Sequence, residues 1–149
     1  MKILKINTLE KGWADRDHLL LHANFQILVD FVEKESPFEI VDWSYNKAHI
    51  NAAKEIRSLY RWWTKLRPAR RDPLDDLKEN ERPTWKECIE PIYSADGKTI
   101  DRHRFVGSHK KYPKYEVAWK KSIKLEQKWD AEDQANLLRL IQIRRFLWV

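Results

Sequence analysis

The chain has 149 residues, 29 Lys or Arg against 23 Asp or Glu, and eight Trp. That length buries a core without staples, and so aromatic a composition excludes a disordered chain. Three glycines argue against a turn-rich all-β fold, and the lone Cys88 excludes an intrachain disulfide or a cysteine-based zinc cluster. A net charge of +6 favours anionic partners, although plain solubility explains a basic surface equally well.

Lys2 to Asn7 sets Ile3, Leu4 and Ile6 against Lys2 and Lys5, and reads as a short strand or an extended entry. It is too short and too charged for a signal h-region. The longest apolar stretch, Leu19 to Val32, is broken by His22, Asn24, Gln26 and Asp30 and cannot span a bilayer. The expected location is the cytoplasm. Beyond Lys11-Gly12, Asp15 or Asp17 caps a helix from about Arg16 to Glu35. Ser36-Pro37 ends it, because the residue before proline avoids the α region. Its expected apolar face is Leu20, Ala23, Ile27 and Phe31, with Leu19, Leu28 and Val32 beside it. Phe38 to Trp43 reads as a short strand or an extended link. Ser44 caps a second helix, Tyr45 to Leu66, whose stripe is Ala52, Ile56, Leu59 and Trp63.

Arg67 to Arg82, with Pro68 and Pro73, reads as a surface excursion with one helical turn at Leu74 to Lys78. Thr84 to Tyr93 and Thr99 to Val106 form a hairpin around Ser94-Ala95-Asp96-Gly97, with Asp-Gly the cue. Gly107 to Tyr112 leads on to Pro113, which opens the longest helix, to Phe146. Tyr115, Ala118, Trp119, Ser122, Ile123, Trp129, Leu137, Leu140, Ile141 and Leu147 follow, mostly three or four apart. At about 1.5 Å per residue such a helix runs roughly 50 Å. The expected fold is mainly α: one domain, an antiparallel bundle of three long helices, with a small β-hairpin inserted before the last helix and an irregular stretch over 67–112. Ile141, Ile143, Phe146, Leu147 and Trp148 are apolar beyond one face, which predicts a homo-oligomer through the long helix.

Four constellations carry chemistry. Arg61, Lys65, Arg67, Arg70 and Arg71 lie close to Trp62 and Trp63. Guanidinium groups fork onto phosphate and indoles stack on bases, so this set suits a nucleotide or a single strand. Trp63 belongs to the apolar stripe, which leaves Trp62 as the stacking residue. Cations at a helix C-terminus also have a plainer cause, since they complement the helix dipole. The second set is Arg102, His103, Arg104, His109, Lys110, Lys111 and Lys114, continued by Lys120, Lys121 and Lys124. Cations at the start of a helix oppose its dipole, so a bound anion is the favoured reason for them, and a solvated face the alternative.

The third set is acidic: Asp30, Glu33, Glu126, Asp130 and Asp133, with Glu55 between them in sequence. Carboxylates on facing helices would hold Mg²⁺ against phosphates. Asp30-Phe31-Val32-Glu33 and Asp130-Ala131-Glu132-Asp133 resemble the paired E-x-x-E and E-x-x-D helices of the MazG and dimeric dUTPase type of all-α nucleotide pyrophosphohydrolases. Each departs from that pattern at its first residue. The resemblance implies an Mg-dependent enzyme as an alternative; otherwise no cofactor is expected. Solvated helix faces carry such carboxylates too. The fourth is a polar line, His22, Gln26 and Asp30, on an otherwise apolar helix. It must be hydrogen-bonded if buried, with Asn136 or Asp133 as partners, or else it lines a pocket. The five histidines lack metal-ligand spacing.

Gly12-Trp13, Asp15, Asp17, Leu21-His22-Ala23, Phe25-Gln26 and Leu28 to Glu33, with Tyr60-Arg61-Trp62-Trp63 and Arg144-Arg145-Phe146-Leu147-Trp148, resemble small helical proteins of tailed bacteriophages. That resemblance implies a phage origin and no particular activity. By analogy of size and charge, it suggests an accessory protein that sequesters a nucleotide signal in basic pockets of an oligomer. The expected function is therefore non-enzymatic binding of a phosphate-bearing ligand, either nucleotide or nucleic acid. A structural role in virion assembly is the second alternative.

Overall fold

The computed structural model describes residues 4–9, 11–106 and 109–148. These are mainly helical, with a two-stranded antiparallel hairpin before the last helix. The contacts gather the chain into two compact units: Met1–Arg70 with Trp129–Val149, and Arg71–Lys128. Among the described residues no helix is long and apolar enough to cross a membrane.

In the first unit, residues 4–7 form no strand, and the rest of the expected entry strand lies outside the described residues. Helix α1 spans Arg16–Glu35. Ser36 ends it at φ 47, a left-handed conformation that non-glycine residues seldom adopt. Pro37 at once starts a single turn, α2 (Pro37–Ile40), where a strand or link is expected. The buried face of α1 is Leu21, Phe25, Leu28 and Phe31. Leu20 and Ile27, on the expected face, are 55% and 46% exposed. The helix is turned because Phe25 stacks on Trp63, with ring centroids 4.5 Å apart and planes at 12°.

Helix α3 (Lys47–Arg61) begins after the expected Tyr45, because Asn46 and not Ser44 caps it, accepting from the His49 amide at 3.0 Å. Ser44 bonds Asp42 instead. The helix continues as a π turn, Trp62–Leu66, closed by the Arg67 amide donating to the Trp62 carbonyl at 2.8 Å. In that wider i→i+5 register two consecutive residues, Trp62 and Trp63, both face the interior. Phe25, Leu28, Ile56 and Leu59 are fully buried, and Leu137, Leu140 and Ile143 from the end of the chain join them. Helix α5 (Pro113–Gln142) stops short of the expected Phe146. A 3₁₀ turn, Arg144–Phe146, lets Phe146 and Leu147 pack on the same core. Much of the apolar tail is thus covered by its own chain, although Trp148 stays 71% exposed.

In the second unit, Asp72 caps a 3₁₀ turn over Pro73–Asp76, in place of the expected Leu74–Lys78 turn. Its other oxygen accepts from the buried Ser122 hydroxyl at 2.7 Å. A second 3₁₀ turn, Glu79–Glu81, follows. Arg82 then donates to the carbonyls of Leu74 and Leu77, fastening the excursion. Thr84 and Glu87 form a capping box that starts a turn, α4 (Trp85–Cys88), where the sequence suggests strand. Strands β1 (Ile89–Tyr93) and β2 (Ile100–Phe105) pair from Ile89↔Phe105 to Tyr93↔Ile100, with a bulge at Ile92/Tyr93. Asp96 organises the expected turn by accepting from the amides of Lys98 and Thr99 and the hydroxyls of Ser94 and Thr99. Those bonds hold its carboxyl far below the usual range. Gly97 supplies the positive φ of 66 that the turn needs.

Candidate anion-binding site

The basic end of the second helix and the acidic face of the last one meet in the first unit and neutralise each other. Arg67 forks onto Asp133 through Nε at 3.2 Å and Nη2 at 2.9 Å. Arg70 reaches Asp133 at 2.7 Å and Glu132 at 3.2 Å. Arg67 lies over the Trp63 ring, and Arg70 between Trp62 and Trp129. Burial alone would raise the Asp133 carboxyl, but the bonds from Arg67 and Arg70 outweigh it and hold it below the ordinary value. Trp62 donates its indole N–H to Glu132 and is 5% exposed. A ring so covered does not stack on a base. Arg71 pairs with Asp76 on the surface of the other unit.

Beside this network is a hollow of about 600 Å³ lined by Arg57, Ser58, Arg61, Trp62, Leu66, Glu132, Asn136 and Arg139. Arg139 is fixed in a fork on Glu55 at 2.8 and 3.2 Å, and also donates to Asn136 and Ser58. Glu132 is taken by Trp62 and Arg70. Arg57 lies over the Phe38 ring at 4.1 Å. Among the described residues, neither Arg57 nor Arg61 has an ion-pair partner. They stand four apart on one helix, and like charges at that spacing cost a few tenths of a kcal/mol, about 0.2–0.5, which an anion between them relieves. The volume falls in the ordinary range for a small-molecule site, about 300–1,000 Å³. Arg61 and Trp62 were legible as candidates from sequence. Arg57, Ser58, Asn136 and Arg139 were not, although the Arg57–Arg61 spacing was a usable signal.

Part of the hairpin set is paired within the second unit. Arg104 meets Glu90, its cross-strand neighbour, at 2.7 Å. Lys111 meets Glu87 at 2.9 Å, and Lys114 pairs with Glu81. Glu87, fastened first by the Thr84 amide and then by Lys111 and Tyr112, is lowered to about 2. These carboxylates account for three cations that otherwise asked for a bound anion. His109 is buried edge-on to Tyr115, and its Nε2 has no partner among the described residues. Arg102 and Lys110 are exposed.

The acidic set is not assembled for a cation. Glu33 accepts from the Tyr60 hydroxyl at 2.8 Å, Asp30 bonds Gln26 and Lys34, and Asp133 is held by two arginines. Asp130 lines a hollow with Arg16, Asp17 and His18, and Glu126 belongs to the other unit. Among the described residues no group of three or more His, Cys, Asp or Glu gathers to hold a metal ion. The polar line on α1 is satisfied from the entry segment and not from Asn136 or Asp133. The Asn7 amide donates to Gln26 at 3.0 Å, Gln26 donates to Asp30 at 2.9 Å, and Thr8 bonds His22 Nδ1 at 2.7 Å. Burial first, then the Arg67 charge, lowers His22 to about 4. The unfolded chain therefore takes up a proton below about 6.5 that the folded chain refuses until about 4. Stability should fall across that window as pH drops, and His22→Gln should flatten the fall in urea titrations at pH 7, 5.5 and 4.5.

No protein-family model matches the chain, and no curated protein or solved structure matches it either.

Proposed function

We propose that this chain is a non-enzymatic binding protein that takes a phosphate-bearing ligand in the Arg57–Arg61–Arg139 hollow. The observation that carries the reading is a pair of unneutralised guanidinium groups lining the same hollow as a third that is fixed on Glu55, in a first unit whose interior arginines are all paired with carboxylates. Guanidinium forks match phosphate oxygens, and Ser58 and Asn136 add hydrogen-bonding groups at the same wall. The pairing of Arg104, Lys111 and Lys114 moves the weight of the reading from the hairpin to this hollow.

Binding to the folded state alone stabilises it by mass action, by about 2.7 kcal/mol at a hundred times Kd, and so raises the melting point. A thermal-shift panel of nucleoside mono-, di- and triphosphates should stabilise the wild type. Arg61→Glu should lose that stabilisation while keeping its own melting point, because an exposed substitution stays within about 0.5 kcal/mol. No shift with any member of the panel at millimolar concentration sinks the proposal. The homo-oligomer belongs to the same reading, with Leu138 and Ile141 exposed one turn apart on α5. Light scattering that returns a monomer at high protein concentration removes it.

A further inference from the structure

Five cations run down one line of the second long helix. Lys47, Lys54, Arg57, Arg61 and Lys65 are spaced 7, 3, 4 and 4 apart, so they fall on one face of α3 and the π turn that continues it. All five are exposed. Among the described residues none has an ion-pair partner. The one acid between Lys47 and Leu66 is Glu55, and Arg139 occupies it. Beyond this row, Arg67, Arg70, Arg71, Arg104, Lys111, Lys114 and Lys120 have carboxylates. This face of a single sign is about 27 Å long at ~1.5 Å per residue.

From this we infer that the face is a track for the backbone of a single-stranded nucleic acid, with the hollow at Arg57 and Arg61 seating one of its phosphates. The inference rests on the proposed anion site and extends it from one phosphate to a row of them. A row of charges along one helix edge follows one strand, whereas a duplex presents two backbones on either side of a groove. Tyr45, 76% exposed and edge-on to His49, stands beyond the Lys47 end, where a base can stack on it. Neutralising phosphates releases condensed counterions, so affinity for a single strand falls with salt at a log–log slope of about −0.7 per phosphate contacted.

The test is fluorescence anisotropy of a labelled 12-nucleotide oligothymidylate against the full chain, from 50 to 300 mM salt. The expected slope is about −3, for four or five contacts at ~0.7 each. The double substitution Lys54→Gln, Lys65→Gln lies outside the hollow's lining. It should lower the slope by about 1.4 and weaken oligonucleotide binding at least tenfold at low salt, with mononucleotide stabilisation unchanged. Circular dichroism and melting of that variant should match the wild type, since both side chains are exposed. An oligonucleotide that binds no tighter than thymidine monophosphate, or with a slope shallower than −1, overturns the track and leaves the anion hollow standing. Failure of both probes overturns both. Equal or tighter binding of a 12-base-pair duplex, or of vesicles containing phosphatidylserine, overturns the choice of a single strand.

Discussion

Asp133→Ala should destabilise the protein by about 3–5 kcal/mol, the range for stripping one partner from a buried ion pair. The carboxylate is 16% exposed and faces Arg67 at 22% and Arg70 at 16%. Removing it leaves Arg67 against an indole ring with no counter-charge and Arg70 with Glu132 alone, and that loss of compensation for desolvation is the source of the effect. Asp130→Ala, three residues away and exposed, should stay within about 0.5 kcal/mol. Urea titration of the two variants checks the contrast. The same carboxylate sets an acid limb. Its value is lowered, so its contribution is complete above the ordinary 3.8 and is lost as pH falls through the lowered value. Asp133→Ala should lack that limb while keeping the His22 limb at higher pH. If Asp133→Ala unfolds at the same urea concentration as the wild type, the Arg67–Asp133–Arg70 network does not support the fold.

Phe25→Ala should cost a similar amount, about 3–5 kcal/mol, by opening a cavity in a packed core. Phe25 is fully buried and lies flat on Trp63 at 4.5 Å and tilted on Trp62 at 5.2 Å. An aromatic pair of that geometry adds about 0.5–1.5 kcal/mol beyond area burial. The near-ultraviolet circular dichroism of the tryptophans should weaken, and their emission should move to longer wavelength. Leu20→Ala on the same helix is the control. Leu20 belongs to the apolar face legible in the sequence but is more than half exposed, so its loss should be small. A larger effect at Leu20 than at Phe25 would reverse the rotation of α1.

Sequence pattern located the helices better than it oriented them. Arg16–Glu35 appears with the expected ends, because Ser36-Pro37 is a local stop that no neighbour needs to supply. Asp96-Gly97 set the hairpin turn for the same reason, with its bonds all between Ser94 and Thr99. Errors cluster where two local signals compete. Ser44 and Asn46 are both good caps, and Ser44 was drawn off by Asp42. Leu20 and Leu21 both fit an apolar stripe, and the ring of Phe25 decided between them.

The charges were the least legible. Basic and acidic sets read as separate sites, because sequence spacing shows which residues share a helix and not which helices meet. Once packed, Arg67 and Arg70 find Asp133, while Lys111 and Lys114 find Glu87 and Glu81. Arg57 and Arg61, with the lysines in line, are among the cations without an ion pair among the described residues, and the proposed function rests on them. The sequence by itself determined a mainly helical chain, a hairpin before the last helix and a basic excess, since these depend on bonds between near neighbours and on composition. Only the tertiary structure decided which cations stay unpaired and that both Trp62 and Trp63 are interior. Ion pairing and burial depend on side chains brought together from distant parts of the chain, 70 residues apart in the Trp62–Glu132 bond.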